Sequence, residues 1–346
     1  MSGALKLRRG VVVAEDPLTV EVDGERRPAW ADTVLLGGMR EGDEVVVNTV
    51  ALDLELGSGG FDVVHVNLTR GLAGGGGGGE HVIKLNYTSL QHPVEPVELP
   101  LFPVAAMRTQ GTAEGDRPPV PVLVLPLHGH LAPAAWAAAQ AKPGLKVGYV
   151  QAGGGALPGS FSRDVATLRE RDLLCGHITA GPAYGGEHEA LSVPGALDAA
   201  AHRLEWDAVI AGPGPGIIGS DTRLGHGGMA ALDTAHAALS LRMPTLISPR
   251  LSSADPRERH RGVSHHTLTV LGMLLGKVAI PVPSQEPVAI AQLAVAAGWQ
   301  HRLSEQPVDL AAYATSGLPT RTMGRSLEED PLFFAAALAS GRALSS

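Results

Sequence analysis

The chain has 346 residues, 44% of them hydrophobic, with a formal net charge of −8; single cores stop growing at roughly 250–300 residues, so two domains are expected. The acidic balance disfavours a nucleic-acid partner, which would need a basic surface, and no stretch reaches the ~18 apolar residues of a membrane helix. One cysteine, Cys175, excludes an internal disulfide scaffold; with an N-terminus that lacks a leader's apolar core, this predicts a cytoplasmic protein, and the apolar run around Cys175 predicts a buried thiol.

Residues 1–105 read as a small all-β, barrel-like domain. "GVVVAEDPLTVEVDGERRPAW" (10–30) alternates apolar and polar positions, and its Asp23-Gly24 step is a hairpin turn signal. "EGDEVVVNTVALDLELGSGGFDVVHVNLT" (41–69) continues with short strands and glycine turns. The six-glycine run Gly74–Gly79 reads as a hairpin loop. A phosphate cradle would need a helix after it, whereas "EHVIKLNYT" looks like a strand. Around 101–117 the composition changes to that of a linker.

Residues 118–346 read as an α/β domain with a Rossmann-like, mostly parallel sheet. Non-alternating, β-rich runs fall at 120–125, 146–151, 173–179, 208–211, 245–248 and 277–282, as expected of strands buried on both faces. Between them lie helical patterns at 132–140, 162–171, 195–203, 228–241 and 264–275. Right-handed crossovers put all the strand C-termini on one edge, where ligands of open α/β sheets bind.

The chemistry-bearing loops follow the runs. "LHGHLAP" offers His128 and His130; in an extended segment the two would point the same way and could share a divalent metal. They could equally serve as acid–base groups or as hydrogen-bonded structural histidines. Glu187 and Glu189, in "AGPAYGGEHEAL", are candidate general bases, or simply acids opening a helix. "GPGPGIIGSDTRLGHGG" (212–228) is an anion-cradle candidate: Gly212, Gly214, Gly216 and Gly219 allow close backbone approach, and Ser220, Asp221, Thr222 and Arg223 add polar contacts. A rigid loop without a ligand is the alternative. In "SADPRERHRGVSHHT" (253–267), Asp255, Arg257, Arg259 and His260 gather charge and imidazole. Ser264 reads as an N-cap that places His265 and His266 in a helix first turn. The positive end of a helix disfavours imidazolium, so both are expected neutral, able to act as bases, ligands or donors to an anion.

The G-x-G-x-x-G fingerprint and its trailing acid are absent after the first run, and no P-loop or G-x-S-x-G is present, which argues against a dinucleotide oxidoreductase and against a serine hydrolase using Ser160, Ser162, Ser220 or Ser264. The stretches "GPAYGGEHEA", "GPGPGIIGSDTRLGH" and "ADPRERHRGVSHHT", with "RPAWADTVLLGGMREGDEVVVNT" and "GSGGFDVVHVNLTRG", resemble a bacterial domain-of-unknown-function family with no characterised activity. The resemblance spans most of the chain and carries over no function.

The residues predict an enzyme, a hydrolase or group transferase, acting on a small anionic or phosphorylated substrate. His128, His130, Glu187, Glu189, His265 and His266 are the candidate catalytic groups. Two other readings stay open: a regulatory protein that binds a nucleotide or metabolite without turnover, and a dimeric scaffold. A homo-oligomer is expected in each case.

Overall fold

The computed structural model describes residues 4–55, 59–72, 82–98, 119–220 and 222–345. The glycine run at 74–79, the linker at 101–117 and Asp221 lie outside them. The chain forms two compact units, Met1–Glu80 and His81–Ser346.

The first unit is a closed five-stranded barrel. Its strands are β1 (Leu7–Glu15), β2 (Leu18–Val22), β3 (Glu25–Trp30), β4 (Glu44–Asn48) and β5 (Asp62–Asn67), in the order β1-β2-β3-β5-β4. Two single-turn helices, α1 (Thr33–Leu36) and α2 (Val50–Asp53), fill the connections. Asp23 and Gly24 both take positive φ, 52° and 83°, so the β2–β3 hairpin closes through the type of two-residue turn that matches strand twist. The alternation seen in the sequence sends Val12, Val20, Val22, Val45, Val47 and Val64 into one interior cluster.

The second unit begins with a two-stranded hairpin, β6 (Val82–Lys84) and β7 (His92–Val94). Its main sheet has eight parallel strands. In chain order they include β8 (Val122–Val124), β9 (Val147–Ala152), β10 (His177–Ala180), β11 (His188–Ala190), β12 (Ala208–Pro213) and β13 (Thr245–Ile247). A small antiparallel pair, β14 (Leu251–Ser252) and β15 (Gly262–Val263), precedes the last two strands of the sheet, β16 (Ala279–Pro283) and β17 (Arg302–Gln306). The sheet order is β11-β10-β9-β12-β8-β13-β16-β17. Strand β12 therefore enters between β8 and β9, and the chain runs outward in both directions from that point. The crevice that ligands favour in open α/β sheets lies above such a reversal.

Helices cover both faces. On one side α3 (Leu131–Ala141), α4 (Arg163–Glu170) and α10 (Pro331–Leu344) pack on the inner side chains Leu123, Leu125, Tyr149 and Ile210. On the other, α5 (Val193–His202), α6 (Ala230–Ser240), α7 (His265–Met273) and α8 (Pro287–Ala297) pack on Val122, Val124, Val150, Val209 and Ile280. A short α9 (Leu310–Ala314) and a hairpin of β18 (Arg321–Thr322) and β19 (Arg325–Ser326) lead into α10. Helices α3 and α10 touch backbone to backbone: a Cβ on Gly341 would lie 1.9 Å from the Ala134 carbonyl oxygen.

All six predicted runs contain strands and all five helical patterns contain helices. Strands β11 and β17 and helices α8, α9 and α10 have no counterpart in the sequence reading. Strand β10 starts at His177, later than the apolar run, so Cys175 falls in the preceding turn; its thiol is exposed, not buried as expected.

Candidate functional site

A cleft of about 400 Å³ opens at the C-terminal ends of β8, β12 and β13. The loop after β8 supplies His128, and the loop after β12 supplies Gly216, Ile217, Ile218, Gly219 and Ser220. The long loop after β13 adds Arg250, Arg257, Arg259 and His260, and His266 enters from the first turn of α7. Asp164 of α4 and Arg321, Thr322 and Met323 of the β18–β19 hairpin close the remaining walls. Gly216, at φ 75°, supplies a backbone turn that side chains rarely adopt, where the loop runs along the cleft.

Buried charge organises the arginine wall. Asp255 is fully buried and accepts from Arg257 Nε and Nη2 at 3.0 and 2.9 Å, from Arg250 Nη2 at 3.3 Å and from Arg325 Nη2 at 3.4 Å. Burial opposes its charge, but the Arg257 hydrogen bonds and the surrounding guanidinium groups hold its carboxyl well below the usual range. Burial pushes Arg250 down to about 10, against the pull of Asp255. A second buried carboxylate, Asp330, accepts from Arg325 Nε at 3.0 Å and from Ser252 Oγ at 2.6 Å. The loop is thus tied down from beneath, and Arg257 and Arg259 face the cleft on a fixed base.

Four histidines collect beside it. Ser264 is the N-cap of α7: its hydroxyl accepts from His266 N at 3.2 Å and meets His260 Nδ1 at 2.7 Å. His226 stacks on His266 with ring centroids 3.6 Å apart and planes 7° apart, and His265 lies edge-on to His266 at 4.4 Å. Arg250 Nη1 sits 3.2 Å from His266 Nδ1. Burial is the first cause that holds all four rings neutral. It is joined by Arg250 and Arg257 for His260, driven to about 3, and by His226 and Arg250 for His266, driven to about 2. His226 and His265 are lowered in the same sense. His265 and His266 are thus shifted toward the neutral form by burial and by neighbouring positive groups, not by the helix end invoked from the sequence.

The H-x-H segment departs from expectation. Residues 128–130 form a 3₁₀ turn, so the extended-chain geometry that would aim both rings at one metal is absent. His128 Nε2 meets Ser162 Oγ at 2.7 Å and its Nδ1 faces the Pro213 carbonyl at 3.2 Å. Ser162 in turn caps α4 by accepting from Val165 N. His130 is buried under the cleft floor, with Nδ1 2.8 Å from Ser248 Oγ and its ring edge-on to Phe333.

The two glutamates also lie apart from the cleft. Glu187 is exposed and pairs with Arg169. Glu189 sits on β11, where its carboxylate accepts from Lys84 Nζ at 2.6 Å, from Thr179 Oγ1 at 2.8 Å and from the Gly185 amide. Both of its carboxylate oxygens thus face structural donors. Gly212 ends within β12 and Gly214 packs on the Ala156 carbonyl, behind the cleft wall. Thr222 bonds Ser220 and the Gly225 amide, and Arg223 contributes its carbonyl to His226 Nε2.

Sequence reasoning left out Asp164, His226, Arg250, Arg321 and Met323. His226 stood in the quoted "LGHGG", and its paired neighbours Gly227 and Gly228 are the signal that could have marked it. Arg321 and Met323 come from a hairpin with no distinctive composition.

A family described as "Protein of unknown function (DUF3866)" matches residues 29–341. No curated protein and no solved structure matches the chain. Among the described residues no helix is long and apolar enough to cross a membrane.

Proposed function

We propose, for a chain that belongs to the DUF3866 family of unknown function, that it is a cytoplasmic enzyme, a hydrolase or group transferase, that takes a small anionic substrate such as a phosphate ester. The observation that carries this reading is the cleft itself. Four guanidinium groups, Arg250, Arg257, Arg259 and Arg321, line the same 400 Å³ space as the neutral imidazoles of His260 and His266 and the glycine-rich 216–220 loop. Guanidinium forks recognise phosphate and carboxylate oxygens through paired N–H donors. In this reading the arginines and loop amides hold the anion, and the neutral His260 imidazole adds an uncharged hydrogen bond to it.

Anion binding is tested by thermal shift and calorimetry with inorganic phosphate, pyrophosphate, sugar phosphates and nucleotides. Turnover of the binders is then followed by phosphorus NMR. Arg257→Ala or Arg321→Ala should each weaken phosphate binding by roughly 10–100-fold, at about 1.5–3 kcal/mol for a charged hydrogen bond. Wild-type protein that no anion stabilises would refute the reading. Binding without turnover would favour the regulatory reading of the same cleft.

Self-association has its own support. The outer face of α8 presents Val288 and Val295, followed by Trp299, 94% exposed. Self-association would remove these three side chains from water. Sedimentation of wild type against Trp299→Asp tests whether copies of this chain cover it.

A further inference from the structure

Three of the four clustered histidines come from two separate elements. His226 immediately precedes the 3₁₀ turn Gly227–Met229, and His265 and His266 open α7. One nitrogen of each lies within 4.8 Å of the others. His226 and His266 are each only 7% exposed. His226 Nδ1 and His265 Nε2 are buried and have no hydrogen-bond partner among the described residues, although leaving a buried polar atom orphaned is costly. A third observation locates the convergence. A Cβ added to Gly228 would lie 2.9 Å from His226 Nδ1 and 3.2 Å from His266 Nδ1. Glycine leaves unfilled the space beside the two Nδ1 atoms.

The geometry points to a transition-metal site formed by His226, His265 and His266, with a further coordination position toward the cleft that His266 lines. The donor set names the class of ion. Three imidazoles with no carboxylate suit Zn²⁺, Co²⁺ or Ni²⁺, not Mg²⁺ or Ca²⁺, which take oxygen ligands. Asp255, the buried carboxylate of this region, is already shared among Arg250, Arg257 and Arg325. Zinc–imidazole bonds of about 2.0–2.1 Å place tetrahedral donors roughly 3.4 Å apart, so the three nitrogens must draw together on binding. The stacked rings of His226 and His266 splay to do so, and the Arg250 contact to His266 Nδ1 is given up. Neutral imidazole is the ligating form, and burial keeps these rings neutral.

This inference deepens the proposed function and rests on it for the role of the ion: a Lewis acid beside the arginine wall, polarising an oxygen of the bound anion. Binding of the ion does not depend on that role. The experiment separates the two. Purified protein is stripped with chelator and titrated calorimetrically with Zn²⁺ alone, and with Co²⁺ while its visible d–d bands are recorded. Phosphate binding is measured on the stripped protein in parallel. One ion per chain, with Co²⁺ bands of four- or five-coordinate nitrogen ligation, is expected. His226→Ala and His265→Ala should each weaken Zn²⁺ binding by about 100-fold or more, beyond the range seen for outer-shell partners. Gly228→Ala should do the same while leaving every imidazole in place, which keeps the test open if a histidine variant misfolds. Failure of wild type to bind either ion, or retention of binding in all three variants, overturns the site. So does an outcome in which phosphate, and not the ion, depends on His226 and His265. Phosphate binding to the stripped protein in the first two cases would leave the anion cleft standing.

Discussion

Glu189 looked in the sequence like a general base, and the structure makes it half of a buried ion pair, so removing its charge should cost stability and not chemistry. Its side chain is 13% exposed and that of Lys84 only 2%. The Lys84 ammonium donates to Glu189, to the Thr179 carbonyl at 3.0 Å and to the Ala183 carbonyl at 2.5 Å, which uses all three of its protons. Burial nevertheless pulls the lysine below its usual range, against the raising effect of Glu189. Desolvation is therefore the larger influence on this lysine, and the carboxylate is what keeps its charge tolerable. Glu189→Gln leaves the ammonium facing two carbonyls and an amide. Breaking one half of a buried pair costs about 3–5 kcal/mol. For a unit of this size each kcal/mol moves the midpoint by about 2–4 °C, so calorimetry should record a fall in Tm of roughly 6–20 °C. Replacing both partners, Lys84→Met with Glu189→Leu, should recover most of that loss, because no unpaired charge then remains. Below its own Tm, Glu189→Gln should bind phosphate with wild-type affinity. A Glu189→Gln protein as stable as wild type that has lost phosphate binding or turnover would refute this reasoning and return the residue to the reaction.

Other outcomes follow from the same geometry. Gly341→Ala should destabilise the α3–α10 contact by about 1–3 kcal/mol through overpacking, read as a lower urea midpoint at unchanged slope, since its Cβ would sit 1.9 Å from the Ala134 oxygen; an unchanged midpoint contradicts the backbone contact. His130 and His177 are buried, and burial is the main reason each is driven to about 3 from 6.5. The unfolded chain therefore holds more protons than the folded one between those values, and stability should fall as the pH drops from about 6.5 toward 3, with no contribution from these groups above 6.5. Thermal midpoints across that range, compared with a His177→Gln variant whose slope should be shallower, test the sign. Ser264→Ala should cost about 1 kcal/mol as a lost N-cap. It should also loosen His260, whose Nδ1 it meets at 2.7 Å, visible as broadened imidazole NMR signals; sharp, unshifted signals would count against that coupling.

The parts of the fold legible in the sequence are those where one pattern dominates. Valine alternation and the Asp23-Gly24 turn specify the barrel hairpin, and unbroken apolar runs mark the central strands. The edge strands are harder to see. On β17, "RLSEQ" has no fully buried position, and β11 carries the polar pair His188-Glu189, so neither shows the hydrophobic run of a covered strand. The site divides in the same way. His266, Arg257 and His260 stand in a stretch dense enough in charge to draw notice, and the cap at Ser264 placed the imidazoles at a helix start. Local pattern could not foresee Lys84, more than a hundred residues from Glu189 in the chain, and that distant lysine decides what the glutamate does. Nor could it foresee that His128-Gly129-His130 coils instead of extending. Gly129 lies against Thr322 and Phe333, partners supplied from the other end of the unit.

The insertion of β12 between β8 and β9 also bears on how the molecule is made. As the chain leaves the ribosome, β8 and then β9 to β11 emerge without the strand that joins them, and the two blocks are held apart until residues 208–213 arrive. Pairings of such long sequence separation are slow to form, and until then the lone strand β8 and an open border of β9 invite mispairing. The arginines, the histidines of α7 and the hairpin at 321–326 come later still. The cleft is thus complete only when the hairpin at 321–326 arrives, and a chain cut short of it would carry every strand of the main sheet with one wall of the pocket missing.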